Sequence, residues 1–352
     1  MKTKEEKIKY FNPNGLATGS NLFGLPFDEK ESDIIVLPVP WEVTVSFNTG
    51  TSRAPEAVME ASKQVDLFDA DVGEAWKRGI FMKKSDKVIL KQSKSLRKKA
   101  EKYLKLYEAG ASGINEAINM RNEINAAGKS LKNWVKQKML AVISKQKLPV
   151  LLGGDHSTPL GFIEALSQHH PSFGILQIDA HCDLRNTYEG FEFSHASIMF
   201  NALKISQVQK LVQVGARDYC HEEMDVIHHS NGRVKAFFDA DMKRKMIEET
   251  SWKIICDSIV SELPGEVYIS FDIDGLDPKL CPHTGTPVPG GLEYEQAVYL
   301  IKNVVDSGRL IIGADLNEIC PAKDGWDANV GARLLYKLCN LMGKSNEGKK
   351  QS

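Results

Sequence analysis

Nothing in the 352 residues reads as a membrane anchor or a secretory leader. No stretch approaches the roughly 18 uncharged apolar residues of a membrane span. The opening MKTKEEKIKYF is charged where a signal peptide would be apolar. Charge of one sign is also missing: 45 basic side chains face 46 acidic ones, a net of -1, which gives no support to a general nucleic-acid or anionic-membrane binder. The six cysteines (Cys182, Cys220, Cys256, Cys281, Cys320, Cys339) never form a CxxC pair, so they read as free thiols in a reducing compartment. Cys182 and Cys281 stand beside interesting motifs, but their neighbours look like metal ligands rather than a Cys–His pair. The expectation is a cytoplasmic protein with no nucleic-acid and no membrane partner.

What is present is ordinary core-building material, 42% hydrophobic and 26% charged, enough for one large α/β domain. Short apolar or β-branched runs occur at Ile34–Val39, Pro149–Leu152, Phe173–Ile178, Lys210–Val214, Val234–Phe238, Val267–Phe271 and Leu310–Ile312. Several are almost continuously apolar, as when helices cover both faces of a parallel sheet. Amphipathic segments such as Met242–Val260 and Glu293–Asp306 lie between them. This rhythm predicts a doubly wound α/β fold. We place an irregular arm at 1–32, packing on the domain or on a neighbouring subunit, a single domain at 33–342 and a polar tail at 343–352. Between Lys83 and Gln146 nothing after Val88–Leu90 reads as a strand. Lys91–Glu108 is strongly basic, which a solvated helix face explains and a polyanion site would also use.

Three apolar runs end in acids and histidines. They are Leu151-Leu152-Gly153-Gly154-Asp155-His156-Ser157, Ile178-Asp179-Ala180-His181-Cys182-Asp183 and Ser270-Phe271-Asp272-Ile273-Asp274-Gly275-Leu276-Asp277-Pro278. Ligands of an open α/β sheet bind beyond the carboxyl ends of its strands. His156, Asp179, His181, Asp183, Asp272 and Asp274 would then meet in one crevice. In extended chain alternate side chains share a face, so Asp179, His181 and Asp183 point together, as do Asp272 and Asp274. Four carboxylates on one face repel one another and resist desolvation unless cations compensate. Two divalent ions balance that charge, and a mixed His/carboxylate set suits Mn²⁺ or a neighbouring first-row ion.

With TGTPVPGG following, GGDHS, DAHCD and SFDIDGLDP resemble the signature set of the arginase/agmatinase/formiminoglutamase ureohydrolases, from about Ile34 to Met342. The resemblance implies a three-layer α/β/α arginase-like fold with a doubly wound, mostly parallel sheet, and a homotrimer or homohexamer. It implies that His156 and Asp183 hold one metal and His181 and Asp274 the other, with Asp179 and Asp272 bridging. Mn²⁺ is the family's usual metal, and Ni²⁺ serves some relatives. Two such ions lower the pKa of a shared water and present hydroxide to the guanidino carbon, releasing urea. Glu318 matches the glutamate that holds the guanidinium, and His195, in FSHAS, the histidine that shuttles protons. Asp218 matches a carboxylate on the substrate side or behind the ligands, a structural role being equally open, and Thr286 is read as orienting the centre. The remaining histidines read as surface or structural.

The substrate is less legible. Arginases usually carry an asparagine two residues beyond DAHxD, where this chain has Arg185. DLRNTYEGFEFSHAS looks more like agmatinases, with Glu189 or Glu192 as candidates for the amine tail. Leu37–Ser46 resembles the branch acting on free guanidine, for which Trp41 and Trp326 are candidate lids. Arg185 leaves room for a carboxylate-tailed substrate such as guanidinobutyrate or formiminoglutamate. Agmatine is the leading expectation, free guanidine the second. A non-catalytic metal-binding subunit would normally have lost a ligand, His195 or Glu318, and all are present.

Overall fold

The computed structural model describes residues 3–348. Its spine is one sheet of β1 (Ile34–Val39), β2 (Ile80–Met82), β3 (Leu148–Gly153), β4 (Phe173–Ile178), β5 (Val208–Val214), β6 (Val234–Phe237), β7 (Glu266–Asp272) and β8 (Leu310–Asn317). The spatial order is β2-β1-β3-β8-β7-β4-β5-β6. Every pairing between these strands is parallel. The pleat divides each strand between two cores. Val150 and Leu152 of β3 enter one and Leu151 the other, while Val267, Ile269 and Phe271 of β7 oppose Tyr268. Helices Ala54–Ala61, Trp252–Ser261, Tyr294–Asp306 and Trp326–Ser345 cover the first face, and Lys87–Glu108, Asn115–Ile143, Leu160–Leu166 and Ile198–Ala202 the second. The result is three layers, α/β/α, as expected.

Some local expectations change. The edge strand β2, only three residues long, carries too little pattern to be read from sequence. Val88–Leu90 is helical, because the Asp86 side chain accepts from the amides of Val88 and Ile89 and starts Lys87–Glu108 there. Met242–Val260 is two helices, Asp239–Ile247 and Trp252–Ser261, separated where Glu249 adopts a φ of 70° and the Ser251 hydroxyl caps the second. The arm packs on its own domain: Leu22, Phe23, Leu25 and Phe27 are buried, and the Phe23 ring lies 4.7 Å from that of Tyr336. Gly343–Ser345, read as the start of a tail, close the last helix. Residues 1–2 of the arm and 349–352 of the tail lie outside the described residues. Among the described residues no helix is long and apolar enough to cross a membrane.

Helix Leu160–Leu166 approaches Asn115–Ile143 backbone to backbone. A Cβ on Gly161 would stand 2.0 Å from the Lys132 carbonyl oxygen. Gly161→Val should therefore destabilise by about 1–3 kcal/mol, as overpacked cores do, seen as a lower urea midpoint. An unchanged midpoint would mean that the two helices separate at no cost.

Candidate metal centre

β3, β8, β7 and β4 are consecutive neighbours in the sheet, and each ends at the same rim. Gly154, Asp155 and His156 leave β3, Asp179–Asp183 follow β4, Asp272 ends β7 and Glu318 follows β8. His156 Nδ1 lies 3.0 Å from Asp179 Oδ2, 3.0 Å from Asp183 Oδ2 and 3.3 Å from Asp272 Oδ2. His181 Nδ1 lies 3.1 Å from Asp274 Oδ2 and 3.6 Å from Asp179 Oδ1. Two groups of ligand-type atoms result, His156/Asp179/Asp183 and Asp179/His181/Asp274, with Asp179 common to both. Asp272 joins neither group but is seated between them, its carboxylate accepting the Asp274 amide at 2.9 Å.

Burial and mutual repulsion set the protonation. Burial, then Asp274, Asp179 and Glu318, push the Asp272 carboxyl well above its usual range. Burial and the Asp179 charge push Asp183 up to about 7. Burial opposes charge on both imidazoles, yet the surrounding carboxylates prevail: His156 is driven well above its usual value and His181 up to about 12. Asp179 goes the other way, its burial outweighed by His156 and His181. Without metal, protons therefore do the work of cations. His156 Nδ1 is buried and forms no hydrogen bond of acceptable geometry, although carboxylates surround it. An imidazole nitrogen and carboxylates aimed at one point, with no hydrogen bond consuming the nitrogen, fit a pair of divalent ions.

Supporting groups orient these side chains. Gln213 Nε2 donates to Gln177 Oε1 (2.6 Å), and Gln177 Nε2 donates to Asp179 Oδ2 (2.8 Å). His156 Nε2 meets the Ser270 hydroxyl at 2.9 Å, and that hydroxyl donates to Asp315 (3.1 Å). Sequence reasoning passed over all four, though Gln177 and Ser270 stand two residues before Asp179 and Asp272 inside apolar strands, a legible signal. Asp183 and Glu318 have φ of 55° and 62°, left-handed values that cost a non-glycine residue energy and that the packing here sustains. The glycines of GGDHS permit close approach: a Cβ on Gly154 would lie 1.8 Å from the Trp41 carbonyl oxygen.

A cavity of about 270 Å³ opens from the cluster, lined by His181, Asp183, Arg185, His195, Asp218 and Thr286, together with Ser46, Phe47, Tyr188 and Glu223. The last four were not foreseen. Glu318 sits deeper, in a narrow throat shared with Val45, Ser46, Phe47, His195, Gly285 and Thr286. The Thr286 hydroxyl is 3.5 Å from Asp274 Oδ2. Burial, with His181 and His156, pushes His195 down to about 3, so it rests neutral rather than poised near 7. Metal ions replacing the protons on those histidines would act in the same direction. Glu189 and Glu192 do not line the cavity; their backbone is tied to the outer helices, the Glu189 carbonyl accepting from Tyr103 and the Glu192 amide donating to Asn125. The candidate lids fail too. Trp41 is buried in the core, and Trp326 is an exposed helix start whose indole donates to the Lys279 carbonyl. Burial raises the Cys182 and Cys281 thiols, which disfavours the nucleophilic thiolate.

Residues 32–340 match the sequence profile of the Arginase family. The chain belongs to the arginase family. An N(1)-aminopropylagmatine ureohydrolase of Thermus thermophilus is 30% identical over 325 residues, 91% of this chain and 95% of the relative. Another protein of that name, from Synechocystis, is 26% identical over 321 residues, 91% and 92% of the two chains. In fold the chain is similar to the agmatine ureohydrolase of Thermoplasma volcanium, with a TM-score of 0.70 at 21% identity, covering 99% of this chain and 100% of that one. This arginase-family chain is accordingly a hydrolase of the ureohydrolase class.

Because the metal-free cluster carries protons, loading with Mn²⁺ should release them, and affinity should rise with pH. Titration calorimetry in buffers of different ionisation enthalpy reads this directly; loading without proton release would contradict the charge balance. Asp179→Ala should lose most bound metal and essentially all turnover, whereas His195→Ala should keep two ions per chain and lose rate. Metal analysis of the two variants separates the roles, and two ions retained by Asp179→Ala would remove Asp179 as the shared ligand.

Proposed function

We propose that this arginase-family enzyme hydrolyses an amine-tailed guanidino compound of the agmatine class, releasing urea and a free amine. The observation that carries the reading is Glu318 Oε2, which is buried in the throat beside the carboxylate cluster and has no hydrogen-bond partner among the described residues. Its other oxygen accepts the His156 amide at 2.8 Å, which fixes the carboxylate's direction. A guanidinium offers planar N–H donors and a positive charge to such an oxygen. Burial, then Asp155, push the empty Glu318 carboxyl well up, and a bound cation would draw it back to the charged form.

Two divalent ions, Mn²⁺ or Ni²⁺, held by His156, Asp179, His181, Asp183, Asp272 and Asp274, would supply an acidified water as nucleophile. Glu318 orients the guanidinium so that its carbon faces that water. Water adds to the carbon, the bond to the tail nitrogen breaks, and the water oxygen leaves in urea. His195, on the cavity wall, stands where it can pass a proton to the departing nitrogen. Farther out, Asp218 suits an ammonium tail and repels a carboxylate, while the buried Glu223 already accepts the Leu184 and Cys220 amides. Arg185 lies with its guanidinium 5.0 Å from the Tyr188 ring centre and its Nε 4.0 Å from Glu223, so its charge is already engaged. The names of the aminopropylagmatine relatives support the same tail chemistry.

Protein reconstituted separately with Mn²⁺ and Ni²⁺ should be assayed for urea from agmatine, N(1)-aminopropylagmatine, guanidine, arginine and guanidinobutyrate, with formiminoglutamate followed by formamide. The amine-tailed compounds should exceed arginine and guanidinobutyrate in kcat/KM by on the order of 100-fold or more. Guanidine as the best substrate would show a pocket that reads no tail. Silence on all six with two ions bound would return the chain to a non-catalytic role.

A further inference from the structure

The basic helix Lys87–Glu108 does something its charge does not advertise. Lys91, Lys94, Lys98, Lys102 and Lys105 face solvent. Arg97 falls in phase with the inward face of Ile89, Ser93, Ala100 and Tyr103, and its side chain is only 12% exposed. Its Nη1 donates to two carbonyl oxygens of one loop, Val43 (3.3 Å) and Val45, while its Nε donates to Glu101 at 3.2 Å. One turn earlier the Ser93 hydroxyl accepts the Glu42 amide at 3.0 Å. The far end of the loop is fastened as well. The Glu42 carboxylate accepts the Gly50 and Ser52 amides, and Asn48 donates to the Gly285 and Thr284 carbonyls. Residues 42–50 are thus a strap, and its middle, Val45, Ser46 and Phe47, walls the throat beside His195 and Glu318. Phe47 also lines the outer cavity and is 71% exposed.

We propose that Arg97 is a positioning residue for hydrolysis, holding the strap so that Ser46 and Phe47 close the substrate pocket over Glu318 and His195. This rests on the ureohydrolase reading of the same site. One guanidinium nitrogen serves both loop carbonyls while Nε serves Glu101, a simultaneous engagement that the single nitrogen of a lysine ammonium cannot reproduce in full. The same helical pair holds the opposite wall. Tyr103 Oη donates to the Glu189 carbonyl (2.9 Å), and Asn125 bonds the Gly190 carbonyl and the Glu192 amide. A Cβ on Gly128 would stand 2.7 Å from that of Phe193, so the helix presses directly on the loop that carries His195. None of these contacts touches a metal-ligand residue. Releasing the strap should loosen substrate placement and leave the metal centre intact.

The test compares Arg97→Ala, Arg97→Lys and the exposed control Lys98→Ala in the metal-loaded enzyme. Arg97→Ala should keep two ions and a folded far-UV spectrum but raise KM for the best amine-tailed substrate about tenfold or more, with a smaller fall in kcat. Arg97→Lys should recover part of that loss, and Lys98→Ala should match the unmodified chain. Hydrogen exchange supplies a readout independent of turnover: amides of residues 44–48 should exchange faster in Arg97→Ala than in the unmodified chain. Unchanged KM together with unchanged strap exchange would overturn the proposal. So would losses that merely follow metal content, with no rescue by lysine. If the unmodified chain releases no urea, the functional reading fails, and the exchange comparison alone then decides whether Arg97 holds the strap.

Discussion

Four buried carboxylates within reach of two imidazoles are the constraint around which the rest of this structure is arranged. Asp179, Asp183, Asp272 and Asp274 are all nearly inaccessible, and their charges cannot share such a place uncompensated. In the absence of metal the balance is kept by protons on His156 and His181 and by the raised affinities of Asp183 and Asp272 for protons. Such a balance holds only where each carboxylate is held in place. The Gln213–Gln177 relay holds Asp179, the Ser270–Asp315 pair holds His156, and Asp272 and Asp274 accept the Asp274 and Ala180 amides. The left-handed backbone at Asp183 and Glu318 is a local cost that the surrounding packing sustains.

Ligands and walls are built from different material. Strand ends carry the cluster, and a sheet buried on both faces gives them little freedom. The pocket above it is made of loops, the strap at 42–50 and the segment around Tyr188 and His195. Both loops lean on the helices Lys87–Glu108 and Asn115–Ile143. This division leaves the wall free to change while the strand ends stay. The same separation explains why the centre is recognisable from motifs and the tail specificity is not.

Much of the fold was legible. β1 and β4 were bounded to the residue, and five other strands were found with shorter or shifted ends, because both-face burial makes their apolar runs continuous. β2 escaped, since three residues at an edge carry no period. Val88–Leu90 is apolar enough for a strand, and only the Asp86 cap makes it the first turn of a helix. In the site, each of the six expected ligand residues lies in the cluster, and His195, Asp218, Thr286 and Arg185 line one cavity. Glu189, Glu192, Trp41 and Trp326, named only as candidates, lie outside the pocket. Proximity in sequence to a motif says nothing about which side of a loop faces the pocket.

The chain by itself determined which side chains could do the chemistry. Acids and histidines at alternate positions after apolar strands share a face by the geometry of extended backbone, whatever the surrounding fold. Tertiary structure alone decided that those faces meet. β8, the last strand in sequence, inserts between β3 and β7, bringing Glu318 beside His156 and completing the row of four strand ends. Strand order depends on how distant helices pack, a non-local free energy that no local pattern encodes. For the same reason Arg97, one more cation in a basic helix by sequence, becomes the donor that holds the far wall of the pocket.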